Sequence, residues 1–279
     1  MSRQRKKKRT TWAWIVVLLL IVVALMFADS SLRIVTNEYE AFFDDLPPEF
    51  DGYRIVQISD LHARRFGEGN RRLMEAVLTA DPDIIAVTGD LIDSDNQGET
   101  AREILGALAP IAPVYYVTGN HEWDSGGLDE LWRIIEESGV TSLRNEYVLL
   151  NEGDASIVLA GAEDPGGPSD METPEELVSA IRRLEGGDSF IVMLNHRNDR
   201  LERYAALGVQ LVLSGHAHGG LIRLPFTDGL IGPGRDLLPD YTSGIYTSGD
   251  TVMVVSRGFG GPVRFLNNPE ITVTVLRAG

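Results

Sequence analysis

All five histidines of this 279-residue chain fall in short polar motifs that end apolar, strand-like runs. Tyr53–Ser59 (YRIVQIS) runs into Asp60-Leu61-His62, Asp83–Thr88 (DIIAVT) into Gly89-Asp90, and Pro113–Thr118 (PVYYVT) into Gly119-Asn120-His121-Glu122. Ser189–Leu194 leads to Asn195-His196, and Val209–Ser214 to Gly215-His216-Ala217-His218. Taken one at a time these are ordinary: Gly-Asp is a turn dipeptide, and a lone Asn120 or His196 is a satisfied polar residue. Together they form a set. Ligands of α/β sheets bind at the carboxyl ends of strands, and five strand ends here present Asp, Asn or His. His216 and His218, two residues apart in extended chain, point to one face.

Two carboxylates, an amide oxygen and several imidazoles make a mixed oxygen and nitrogen donor set without sulfur. Such a set suits Mn²⁺, Fe or Zn²⁺. A carboxylate shared between two ions about 3.5–4 Å apart gives the geometry that clamps the attacking and leaving oxygens of a phosphoryl transfer. Water between two such ions is acidified to hydroxide near neutral pH, so no serine or cysteine nucleophile is needed. The chain has neither a cysteine nor a G-x-S-x-G elbow. The missing cysteines also exclude disulfides, thiolate catalysis and Cys-based zinc sites.

The elements that must position these groups are strands alternating with amphipathic segments. Helices are expected near Arg71–Thr79, Glu99–Leu108 and Leu128–Ser138, between the first strands. A second group of strands follows at Tyr147–Leu150, Ser156–Gly161, Ser189–Leu194, Val209–Leu213, Thr251–Ser256 and Glu270–Leu276, with helices near Pro174–Glu185 and Asp199–Ala206. Thr173-Pro174-Glu175-Glu176 reads as an N-cap followed by proline at the first helical position. The pattern predicts an α/β protein with two sheets, the later one richer in antiparallel pairs. Pro225–Asp250, rich in Gly and Pro, reads as a long loop of the kind that covers a site.

The N-terminus has a different character. Six basic side chains among the first ten residues precede Trp12–Ala28, 17 residues without a charge. A buried core helix would not be apolar all round behind adjacent cations. A cleavable signal peptide would end in an A-x-A-like site, whereas Met26-Phe27-Ala28 is a poor one. The expected organisation is a basic cytoplasmic segment (1–11), a single uncleaved transmembrane anchor (12–28), a connector with the first strand (29–45) and a catalytic domain (46–279). With the cations held inside, that domain lies outside the cytoplasm at the cell membrane. The formal net charge is −16, and beyond the first ten residues 19 Lys and Arg face 41 Asp and Glu. So acidic a body repels a polyphosphate backbone, which argues against nucleic acid as a partner.

In order, D-x-H, G-D, G-N-H-E, H and G-H-x-H resemble the motifs of the calcineurin-like metallophosphoesterases, over roughly Leu46 to Leu276. The sequences DLP…GYRIVQISDLH, GHAHGG and SRGFGG look most like a membrane-associated bacterial branch that includes UDP-2,3-diacylglucosamine pyrophosphatase-like phosphodiesterases. The resemblance implies a four-layer αββα sandwich, the metallo-dependent phosphatase fold, with two divalent metal ions at its strand ends. It implies that Asp60, His62 and His218 bind the first ion, that Asp90 bridges, and that Asn120, His196 and His216 complete the second. It places His121 beside the phosphate, donating to the leaving oxygen or stabilising the developing charge, so that His121, Asp90 and Asn120 form the catalytic group. Two departures stand out: His196-Arg197-Asn198-Asp199 replaces the frequent His-x-Pro-Asp, and Gly219-Gly220-Leu221 replaces Gly-Gly-Gln. Arg64 and Arg65, just after the first motif, are candidates for holding a second phosphate group, with Arg223 and Arg264 weaker versions of the same idea.

The function that follows is a membrane-anchored two-metal phosphoesterase acting on a phosphodiester or pyrophosphate, attractive as a lipid-linked or cell-envelope substrate because the anchor concentrates the enzyme at the bilayer. Two other functions fit the same residues: a phosphoprotein or soluble nucleotide phosphatase, and a non-catalytic, metal-stabilised envelope binding module.

Overall fold

A computed structural model of the chain describes residues 2–224, 227–261 and 264–279, with side chains from Trp12 onward outside the gaps. It begins with helix α1 (Ser2–Leu32), followed by β1 (Val35–Phe43), β2 (Arg54–Ile58), α2 (Arg71–Ala80), β3 (Ile84–Thr88), α3 (Gly98–Leu108) and β4 (Val114–Val117). Next come α4 (Asn120–Asp124), α5 (Leu128–Glu137), β5 (Thr141–Ser142), β6 (Glu146–Glu152), β7 (Ala155–Gly161), α6 (Pro174–Leu184), β8 (Ile191–Leu194), α7 (Leu201–Ala206) and β9 (Leu211–Ser214). Strands β10 (Gly244–Ser248), β11 (Thr251–Val255) and β12 (Glu270–Ala278) close the chain.

The strands form two six-stranded sheets, ordered β1-β12-β2-β3-β4-β5 and β10-β11-β9-β8-β7-β6. Alternation along each strand decides what lies between the layers. Val56, Ile58, Ile85 and Val87 face one way, onto Leu73 and Val77 of α2, Ile104 and Leu108 of α3, and Ile134 of α5. Ile55, Ile84 and Ala86 face the other way, meeting Leu159, Val192, Leu194, Leu211 and Leu213 of the second sheet. On the far side Val158, Ile191, Met193 and Val212 pack against Leu177 and Ile181 of α6 and Tyr204 of α7. The result is the expected αββα sandwich. One polar tie crosses its centre: Gln57 Nε2 donates to Thr88 Oγ1 and to the Ser214 carbonyl of the other sheet, both at 2.8 Å.

Strands β2, β3 and β4 run parallel, as do β7, β8, β9 and β11, so the motif-bearing ends share one edge of the sandwich. Thr173 caps α6 as expected, accepting from Glu176 N at 3.3 Å while Glu176 Oε2 accepts from Thr173 N at 2.8 Å. Three expectations need correction. Glu270–Leu276 does not join the second sheet; β12 enters the first, parallel to β1 and antiparallel to β2, because its side chains fill both cores flanking that sheet. The Pro225–Asp250 stretch is not loop throughout: β10 occupies Gly244–Ser248, and bridges join Arg223 to Gly229 and Ile231 to Leu237, while Pro225 and Phe226 lie outside the described residues. The apolar helix extends past Ala28 to Leu32, and by length and composition Trp12–Leu32 is able to cross a membrane.

Leu159 is fully buried between the sheets. Leu159→Ala is expected to lower stability by about 2–5 kcal/mol, the usual cost of a core cavity, read as a lower urea midpoint at an unchanged slope.

Candidate metal centre at the strand ends

The first three strands deliver their motifs through loops that hydrogen-bond to each other. Asp60 N donates to the Gly89 carbonyl at 3.0 Å, and His62 N to the Asp90 carbonyl at 2.9 Å. Asp60, His62, Asp90, His216 and His218 all have left-handed backbone, with φ of 51°, 49°, 52°, 66° and 50°. For residues with a Cβ such geometry is costly and persists where the surroundings impose it. The glycines of the motifs are explained by contact. A Cβ on Gly89 would meet Gly119 N at 2.4 Å, and one on Gly119 would meet Asp90 Oδ1 at 2.2 Å, so the second and third loops touch only because both lack a side chain. Likewise a Cβ on Gly260, in the SRGFGG sequence, would meet His62 Cδ2 at 2.4 Å.

These loops gather seven side chains. Ligand atoms of Asp60, His62, Asp90 and His218 lie within 4.8 Å of one another, as do those of Asp90, His196 and His216. Asp90 belongs to both groups. Its Oδ2 is 3.2 Å from His196 Nε2, 3.8 Å from His62 Nε2 and 4.0 Å from His121 Nε2. His121 N donates to Asp90 Oδ1 at 2.9 Å, which sets Asn120 beside the same carboxylate. His196 Nδ1 lies 2.8 Å from the Thr88 carbonyl, a contact that requires the proton on Nδ1 and leaves Nε2 to face Asp90.

The donor set fits divalent ions. Asp90 Oδ2, His62 Nε2, Asn120 Oδ1 and His218 Nδ1 are buried and have no hydrogen-bond partner among the described residues. Buried polar atoms are rarely left so, and oxygen and imidazole nitrogen are what such cations take. The electrostatics agree. Burial pushes the Asp60 carboxyl up, but the imidazoles of His218, His196 and His62 hold it below its usual value. Asp90 is lowered in the same way, burial being outweighed by His196 and His62. His216 and His218 are each brought down to about 4, chiefly by burial, and so are neutral at pH 7, the form in which an imidazole can take a metal ion. His196 goes the other way, up to about 10, because the Asp90 charge outweighs burial.

The profile of the calcineurin-like phosphoesterases matches residues 53–220, which contain all seven of these side chains. The chain belongs to this family. It is a metallophosphoesterase, a hydrolase of phosphate esters. Among its relatives, the uncharacterized metallophosphoesterase YkuE of Bacillus subtilis is 32% identical over 257 residues, covering 88% of this chain and 86% of the relative. A transmembrane protein with metallophosphoesterase domain from Bos taurus is 31% identical over 84% of this chain, which spans 55% of that longer relative. Among solved structures, TT1561 of Thermus thermophilus superposes with a TM-score of 0.51 at 14% identity, covering 75% of this chain and 90% of that one, a likeness of fold.

Three acidic residues not singled out from the sequence shape this metallophosphoesterase centre. Glu122 is fully buried and accepts from four backbone amides, Asp90 at 2.9 Å, Leu91 at 2.6 Å, Ile92 at 3.2 Å and Gly119 at 2.7 Å, clamping the second and third loops together. Asp93 accepts from His62 Nδ1 and lies 3.2 Å from His121 Nδ1, orienting both rings. The Asp93 bond is the chief reason His121 is held above its usual pKa. Asp164 takes the Arg197 guanidinium in a fork, at 2.7 and 3.1 Å, and leaves Nη1 3.2 Å from His216 Nε2. Arg197 belongs to the departure from His-x-Pro-Asp; the next residue, Asn198, ties the loop by donating to the Tyr241 carbonyl at 3.0 Å. Glu122 stands in the G-N-H-E motif without an assigned role, and Asp93 follows Asp90 by three residues; Asp164 carried no positional signal.

The four arginines differ in placement. Arg64 lines the cleft beside the centre, donating to the Phe259 carbonyl at 3.1 Å and to the Ser31 carbonyl. Arg65 is not among the cleft-lining residues and pairs with Glu103 at 2.9 Å. Arg264 is buried and gives its guanidinium to the carbonyls of Arg257, Gly258, Gly260 and Asn267. Arg223 donates to Gly219 O and Ser243 Oγ, each at 2.9 Å.

Glu163 is pushed up to about 7 by burial, which outweighs the lowering by the Thr118 hydroxyl that donates to it. A folded pKa above the ordinary 4.5 favours the native state at low pH, and this contribution is lost as pH rises through about 7. Glu163→Gln cannot ionise, so its melting temperature is expected to gain on that of the unsubstituted chain at pH 8 relative to pH 5. A pH-independent difference between the two proteins would contradict the assignment.

Proposed function

We propose that this metallophosphoesterase is membrane-anchored and cleaves a phosphodiester or pyrophosphate bond with two metal ions. The observation that carries the reading is Asp90, a buried carboxylate that belongs to two of the three donor clusters, the third being His62, Asp93 and His121, and whose Oδ2 makes no hydrogen bond while facing imidazoles. In this reading Asp60, His62 and His218 would hold one ion, Asn120, His196 and His216 the other, and Asp90 would serve both. Bound there, Mn²⁺, Fe or Zn²⁺ supplies Lewis acidity for the phosphoryl oxygen and an activated water as nucleophile.

The chain's own groups supply position and a proton. Thr88 and Asp93 fix the rings of His196 and His62, so little reorganisation remains when substrate arrives. His121 stands at the mouth, its side chain 42% exposed, with Nδ1 held by Asp93. That contact raises the pKa of the ring and occupies Nδ1, which leaves Nε2 as the atom placed to donate to the leaving oxygen. The apolar helix Trp12–Leu32, with cations before it, supports a single-pass anchor and an extracytoplasmic body, and the Bos taurus relative is named as a transmembrane protein. Location at a bilayer favours a lipid-linked substrate, such as a phosphodiester or diphosphate of the envelope, over a soluble phosphate monoester.

The test uses the full chain in detergent, stripped with a chelator and assayed on bis(p-nitrophenyl) phosphate and p-nitrophenyl phosphate as Mn²⁺, Zn²⁺, Fe²⁺ and Mg²⁺ are restored in turn. Activity should return with metal and be greater on the diester. Asp90→Asn should lose nearly all turnover and bind both ions weakly; normal turnover would sink the two-metal reading. His121→Ala should keep its metal and lose about 10²–10⁴-fold in rate. Loss of metal in that variant would make His121 a ligand instead.

A further inference from the structure

The catalytic cleft is walled in part by the apolar helix. Phe27 and Ser31 of α1 line the same cavity, about 810 Å³, as His62, Asp93, His121 and His218. This is a built contact. Arg64 and Arg72 donate to the carbonyls of Ser31 and Leu32, Leu266 N donates to the buried Ser30 Oγ at 2.8 Å, and Asn268 Nδ2 donates to the Asp29 carbonyl at 2.9 Å. The Phe27 ring packs on Phe265, centroids 4.7 Å apart. The 17 uncharged residues Trp12–Ala28 span roughly 25 Å as helix, against a hydrocarbon core of about 30 Å. With the crossing segment ending between Ala28 and Leu32, Phe27 lies in the last turns of the anchor, and the cleft it lines opens near the level of the headgroups.

A second apolar feature is tied to the same place. Leu224, Leu237 and Leu238 are 47%, 77% and 72% exposed. Their loop is anchored where the helix docks: Ile222 bridges to Phe265, Leu230 N donates to the Ile222 carbonyl and Leu238 N to the Leu230 carbonyl, each at 2.9 Å. Pro233 and Leu221 of this segment also line the cleft. Elsewhere in the body the exposed leucines are single, Leu78 on α2, Leu149 on β6 and Leu184 on α6. Clustered exposed leucines signal an interaction surface, and next to a membrane helix the surface available is the bilayer.

We propose that Leu224, Leu237 and Leu238 seat in the leaflet beside the anchor, so that the cleft opens onto the lipid surface and accepts a phosphate ester or diphosphate carried on an apolar chain. The proposal rests on the membrane-anchored phosphoesterase reading. Phosphate meets the centre at His62 and His121, and the chain leaves past Phe27 and Leu221.

A chain without cysteine permits the test directly. Leu237→Cys and, as control, Leu184→Cys are labelled with an environment-sensitive fluorophore in the full chain. Both are reconstituted in phosphatidylcholine–phosphatidylglycerol vesicles with shallow spin-labelled lipid. Quenching at position 237 with little at 184 is expected; equal quenching at both positions, or none at 237, overturns the proposal whatever the enzyme hydrolyses. A second arm compares p-nitrophenyl hexadecyl phosphate in the vesicles with bis(p-nitrophenyl) phosphate in solution. Water adds to phosphorus and p-nitrophenolate leaves in both. Leu237→Ser combined with Leu238→Ser should lower the ratio of vesicle to soluble turnover by about tenfold or more, and an unchanged ratio overturns the proposal. Should the unsubstituted protein hydrolyse neither probe while position 237 is quenched, the phosphoesterase reading fails and the lipid contact stands.

Discussion

Burial of the Asp90 carboxylate is the constraint from which the rest of the site follows. Removing a charge from water costs several kcal/mol unless counter-charge is supplied, and Asp90 is 1% exposed with one oxygen, Oδ2, that makes no well-directed hydrogen bond among the described residues. The protein meets part of that cost with imidazoles, His196 at 3.2 Å and His62 at 3.8 Å. It leaves the remainder for cations. A second buried carboxylate, Glu122, sits nearby and would worsen the repulsion were it not taking four amide protons. The two acids therefore have different duties: Glu122 holds the loops that hold Asp90.

Two parallel-stranded regions facing each other are what bring these groups together. Each sheet alone presents half of the donor set, with Asp60, His62, Asp90 and Asn120 from the first and His196, His216 and His218 from the second. The apolar layer between the sheets sets their spacing, and Gln57 bonds to the Ser214 carbonyl at the end of β9 in the opposite sheet. His216 N donating to both oxygens of Asp60, each at 3.1 Å, joins the sheets at the level of the site itself. Packing and coordination thus share a scaffold, and the strain in the left-handed motif residues is carried by that packing.

The N-terminal helix shares in the same economy. Its end is not a tether hanging from the first strand, because Ser30 is buried and Phe27 stacks on Phe265. A helix fixed this way gives the cleft one apolar wall and one polar wall. The surface between them is then suited to molecules with both characters.

Much of this was legible in the chain before folding. Strand-ending motifs, the alternation of strands and helices that makes two sheets, the cap at Thr173 and the apolar N-terminal segment are properties of local order and period, whereas the αββα layering was implied by the family resemblance. What tertiary structure alone decided are the long-range pairings. Nothing in Glu270–Leu276 says that it inserts between the first and second strands, because an apolar strand suits either sheet until its neighbours' side chains leave room in only one. Glu122 reads as one more motif acid, and only the convergence of two loops gives it four amides. Asp93, Asp164 and the docking of Phe27 depend on residues 28 to 238 positions away. The donor types were set by sequence; which oxygen goes unpaired, and which wall the cleft borrows from the helix, follow from contacts that no local pattern encodes.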